Sequence, residues 1–169
     1  MKAIVSLALA ISVMAAAAPV AAQDVDPGQV LSRVCLPYAM RAATFEKAIR
    51  LARDLEFQRP AGAPALEEWS SDVELVSRDG IWRMKLEEGT ITEGDADVYS
   101  VSCSLWSSRA SATELARLID RALSSDPRWT QGDTVRWRRD RASGESSLLI
   151  DIKEPEGRRP ILSATGVYR

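Results

Sequence analysis

The sequence predicts an α+β fold: a leading helix, then two helix-strand-strand-strand units whose strands form one antiparallel sheet of about six strands, with the helices on one face. Three observations predict it. Apolar residues recur at i, i+3 and i+4 in three separate stretches. The period falls to two in the segments after the second and third of these. Two glycine-containing turns then set hairpin registers in which apolar residues face apolar ones and acids face bases.

The leading helix opens at Asp26-Pro27, an N-cap followed by proline at the first helical position. Val30, Leu31, Val34, Cys35 and Tyr38 share one side of it, and Pro37 limits its length or kinks it. A second helix is expected from about Thr44 to Leu55. Phe45, Ala48, Ile49, Ala52 and Leu55 form its buried stripe, with Lys47, Arg50, Arg53 and Asp54 toward water. Gln58 to Leu66, with Pro60, Gly62 and Pro64, reads as a loop.

Val73 to Ser77 and Ile81 to Leu86 flank Asp79-Gly80. That turn sets Val73 opposite Leu86, Leu75 opposite Met84 and Glu74 opposite Lys85. A third strand, about Asp97 to Trp106, places Tyr99, Val101, Cys103 and Leu105 on one face and Ser100, Ser102 and Ser104 on the other. This is the pattern of a sheet covered on one side. Ser111 with Glu114 three residues on is a capping box, and the helix it opens buries Leu115, Leu118, Ile119, Ala122 and Leu123 before Ser125-Asp126-Pro127 ends it. A second hairpin turning at Ser143-Gly144 pairs Val135 with Ile152, Trp137 with Ile150 and Arg136 with Asp151. A last strand covers about Ile161 to Tyr168.

The chain has 169 residues, 46% hydrophobic and 27% charged. That composition excludes a disordered chain, a collagen, a coiled coil and a cysteine-dense mini-protein. With Lys+Arg 22 against Asp+Glu 24, the net charge is −2 and gives no bulk attraction for nucleic acid. There is no histidine and no asparagine. Histidine-activated serine or cysteine nucleophiles and histidine-ligated zinc are thereby excluded, and neither a metal nor a cofactor is expected.

The N-terminal segment reads as an address. Lys2 precedes an apolar run from Ala3 to Ala18 broken only by Ser6 and Ser12, and Pro19 leads into Val20-Ala21-Ala22. Residues 1–22 are therefore expected to be a signal peptide cleaved after Ala22, leaving 23–169 as a single α+β domain, periplasmic or secreted, with no stable membrane span. In that oxidising setting Cys35 and Cys103, the only two cysteines, are expected to form a disulfide. No CxxC spacing suggests a redox role.

Two groups of residues carry functional expectations. Arg136 and Arg138, with Arg139 and Arg141, surround Trp137 as the densest basic patch. They are read as an anion- or partner-binding surface, against the plainer reading that alternate arginines cover an exposed sheet face. Glu87, Glu88, Glu93, Asp95 and Asp97 read as a solvated connection after the first hairpin. The expected protein is an exported, non-enzymatic one that binds an envelope protein or a small ligand, using the open sheet face or a groove beside it. The alternative is a small histidine-free hydrolase of envelope material working through carboxylates near Glu88 and Asp95.

Overall fold

The computed structural model describes residues 25–67, 69–93, 96–133, 136–140 and 146–168. It is α+β with one antiparallel sheet, and the sheet has eight strands rather than about six. The strands are β1 (Phe57–Gln58), β2 (Asp72–Ser77), β3 (Trp82–Glu93), β4 (Ala96–Ser107), β5 (Thr130–Asp133), β6 (Arg136–Asp140), β7 (Ser146–Lys153) and β8 (Ile161–Tyr168). Their order across the sheet is β1-β2-β3-β4-β8-β7-β6-β5. Each repeated unit is thus a helix and four strands, and the two halves meet at β4 and β8 as images of each other. The additional strands are the two edges. Phe57–Gln58 is too short to show a period of two, and Thr130–Asp133 (TQGD) has no apolar alternation.

Both expected registers are observed. Val73 faces Leu86, Leu75 faces Met84 and Glu74 faces Lys85; Trp137 faces Ile150 and Arg136 faces Asp151. In the first turn Gly80 adopts φ +71, and the Asp79 carboxylate accepts from the Ile81 amide at 2.9 Å. That left-handed conformation is why glycine stands there. The Val135–Ile152 pair and the Ser143-Gly144 turn lie outside the described residues.

The third strand runs as expected, but its partner is longer. β3 continues past Leu86 through Glu87 and Glu88 to Glu93, paired with β4 from Trp82↔Ser107 to Glu93↔Ala96. Of the acids read as a solvated connection, Glu87, Glu88, Glu93 and Asp97 are therefore strand residues; Glu87 is exposed with the outer set, while Glu88 turns inward.

Three helical segments in the first part form one leading helix: α1 (Pro27–Val30), a π-helical turn (Leu31–Cys35) and α2 (Leu36–Ala39). The π turn explains how the helix passes Pro37. Proline cannot donate to the preceding turn and its ring crowds the carbonyl there, and widening to i→i+5 bonds, as in Leu36 N–H to Leu31 O, relieves both. α3 (Phe45–Arg53) is capped by Thr44, and α4 (Ala112–Leu123) by the Ser111–Glu114 box.

All of these pack on one face. The leading helix lies over β4 and β8, with α3 and α4 beside it. Leu31, Val34, Ile119, Leu86, Leu105 and Ile150 are among the fully or nearly fully buried side chains of the single core beneath. Cys35 and Cys103 are joined as expected, with Cα atoms 5.1 Å apart, which ties the leading helix to the centre of the sheet. No helix among the described residues is long and apolar enough to cross a membrane.

Of the tryptophans, Trp82 and Trp137 are partly buried against the core. Trp129 is also a core residue, at 8% exposure, whereas Trp69 is 80% exposed on the loop before β2.

Candidate functional site

The chain has three tyrosines, at 38, 99 and 168, and the fold brings all three to one end of the leading helix. Tyr38 lies one helical turn beyond the disulfide, and Tyr99 lies on the inner face of β4. Tyr168 sits opposite Tyr99 in register, with ring centroids 6.5 Å apart. The Tyr168 hydroxyl donates to the Ala39 carbonyl at 2.5 Å, holding the end of α2 against the sheet.

Arg41 completes the cluster. It follows α2 with φ 56, a left-handed conformation usually given to glycine at a helix C-terminus. For any other residue that conformation costs roughly 1–2 kcal/mol. Its guanidinium carbon lies 5.2 Å from the Tyr99 ring centroid and 5.3 Å from that of Tyr168. Cation–π attraction to two rings offsets part of the backbone cost and fixes where the guanidinium points. Among the described residues no carboxylate stands within ion-pair distance of it.

Glu88 supplies the opposite charge on the floor. The Tyr38 hydroxyl donates to its Oε2 at 3.4 Å. Burial first, and then the Glu88 charge, push the Tyr38 phenol far above its usual ionisation range; the same two causes, in the same order, raise Tyr99. Tyr38, Arg41, Thr44, Glu46, Glu88 and Tyr99 border a cleft of about 370 Å³. Glu46 lies in the first turn of α3, where its own backbone N–H and then the Thr44 hydroxyl hold its carboxyl below the usual range. The positive end of α3 is therefore already served by the chain's own acid.

A pH dependence follows from Tyr38. Its folded pKa is raised, so its contribution is fully present below the unfolded value of 10.0 and is lost as pH rises beyond it. Above pH 10 the unfolded chain releases a proton that the folded one retains. Stability should then fall by about 1.4 kcal/mol per pH unit for this phenol. Denaturant titrations from pH 9 to 11 should show a shallower decline in Tyr38→Phe; equal slopes would contradict the assignment.

A larger hollow, of about 400 Å³, lies at the opposite end of the leading helix, bordered by Val25, Ile81, Trp82, Leu115 and Leu118 with Asp79, Arg109, Glu114 and Arg121. Its acids are committed locally. Asp79 closes the β2–β3 turn and Glu114 closes the α4 capping box. The tyrosine cleft is the better site because Arg41 and Glu88 are placed by long-range contacts, and among the described residues no carboxylate pairs with Arg41.

The two expected arginines stand elsewhere. Arg138 is exposed on the uncovered face of β6, opposite Leu149 and Thr130. Arg136 is placed by its backbone opposite Asp151, and its side chain lies outside the described part of the structure. Their neighbour Arg139 turns inward instead, to the Met40 sulfur at 3.6 Å and to Asp126 at 3.5 Å. Asp95 lies outside the described residues, while Glu88 belongs to the cleft. Among the described residues no cluster of three or more acids and cysteines could hold a metal ion. No protein-family model, curated protein or solved structure matches the chain.

Proposed function

We propose that this is an exported, non-enzymatic protein, periplasmic or secreted, that binds a small ligand in the tyrosine cleft. The observation that carries this reading is the convergence of every tyrosine in the chain on one arginine and one buried-side glutamate. The cleft volume lies within the range of about 300–1,000 Å³ typical of small-molecule sites.

The hydrolase alternative has Glu46 and Glu88 available in one cleft. Carboxylate catalysis of glycoside cleavage needs one group protonated and one ionised. Glu46 is held in its ionised form, and Glu88 accepts from a phenol that stays protonated. Glu46, held below its usual range, is not suited to the protonated role, and the pair are available as acceptors for a bound donor. A second binding reading keeps Arg136 and Arg138 as a partner-contacting patch, because Arg138 is exposed on the sheet face that no helix among the described residues covers.

Thermal unfolding of the protein across a panel of envelope metabolites tests the proposal. At least one compound should raise the midpoint of the wild type and leave the Arg41→Ala, Glu88→Gln double variant unmoved. Turnover of a panel compound that disappears in Glu88→Gln alone would replace the binding reading with the hydrolase.

A further inference from the structure

The cleft offers two unlike recognition groups. On one wall the Arg41 guanidinium is fixed against two rings and has no carboxylate partner among the described residues. A planar fork of N–H donors of this kind matches the two oxygens of a carboxylate or phosphate. On the other walls Glu88 and Glu46 present acceptors, which favour an ammonium or other hydrogen-bond donor. Three charged groups border the cleft, one positive and two negative, so a doubly charged phosphate would meet net repulsion. A ligand carrying one carboxylate and one ammonium meets neither penalty. A volume of about 370 Å³ stands at the low end of the range for small-molecule sites and has room for a ligand of this kind.

Resting on the reading of this cleft as a ligand site, we infer that it takes a small zwitterion, an amino acid or short peptide. Its carboxylate sits on Arg41 and its ammonium faces Glu88 and Glu46.

The test is an NMR titration of isotope-labelled protein with L-alanyl-L-alanine, its C-terminal amide, its N-acetyl derivative and inorganic phosphate. The free dipeptide should shift the Arg41 side-chain N–H and the Tyr99 and Tyr168 ring signals. The amide and the N-acetyl form should each bind at least about tenfold more weakly, as loss of a charge-assisted contact implies. Arg41→Gly is the informative variant, because glycine adopts this left-handed conformation without strain and the substitution should leave the fold intact. It should keep the wild-type unfolding midpoint and lose dipeptide affinity by at least about tenfold. Equal binding of dipeptide and amide, tighter binding of phosphate, or no shift with the dipeptide each overturns the ligand class. The metabolite panel decides separately whether the cleft binds anything at all.

Discussion

Replacing Cys35 and Cys103 together with serine is expected to lower the free energy of unfolding by about 4 kcal/mol, the chain-entropy value for a closed loop of this length. The two residues are 68 positions apart, and both are fully buried where the leading helix crosses the middle of the sheet. Losing the bond frees the unfolded chain, and the new hydroxyls stand among apolar neighbours. For a domain whose total stability is about 5–15 kcal/mol, that loss is a large share. Urea unfolding of the double variant checks it. A midpoint equal to that of the oxidised wild type would mean that the leading helix is held by packing alone.

The second large effect is expected at Gly166 on β8, where the backbone of the leading helix lies directly against the strand. A methyl group there would fall onto the Ala39 carbonyl oxygen, and would sit 2.8 Å from the Tyr168 hydroxyl and 2.9 Å from its ring. The first of these neighbours is helix backbone and cannot swing away. Gly166→Ala must therefore lift the end of α2 off the sheet or displace Tyr168. Either movement breaks the Tyr168–Ala39 hydrogen bond. Overpacking typically costs about 1–3 kcal/mol, and a clash against backbone places this variant at the upper end, about 3 kcal/mol. Gly89→Ala is the control, since a Cβ at that position meets nothing within 4 Å. Comparable destabilisation of both variants would show that strand propensity, and not contact with the helix, sets the effect.

Much of this architecture could be read from the residues, for reasons that differ by element. The hairpin registers were legible because cross-strand chemistry is redundant: Val73–Leu86, Glu74–Lys85 and Trp137–Ile150 all agree with the same turns. The capping box fixed the start of α4 in the same local way. The edge strands were not legible, because two residues at Phe57–Gln58 form a strand only by virtue of the neighbour they pair with. Glu87 and Glu88 concealed the continuation of β3, since adjacent acids look like solvent-facing turn residues until the sheet assigns them opposite faces.

The cleft was missed because its parts lie far apart along the chain. A signal was nonetheless available. Once Cys35 is expected to meet Cys103, Tyr38 follows one helical turn away on the same side, and Tyr99 lies two inward positions back along the strand. The disulfide expectation therefore allowed the two tyrosines to be neighbours, and the direction of the helix across the strand, which the pairing leaves open, decides it. Arg41 gave no such hint, because a left-handed arginine is invisible until the backbone is seen.

Site-specific photo-crosslinking in the native host tests most directly whether the tyrosine cleft, and not the open sheet face, is where this protein meets its ligand. A benzophenone side chain would replace Tyr99 in one strain and Trp106, on the uncovered face, in another. Intact-mass measurement of the recovered protein should show a discrete small-molecule adduct from position 99 and none from position 106. Adducts confined to position 106, or a protein partner captured there while position 99 stays unmodified, would contradict the account.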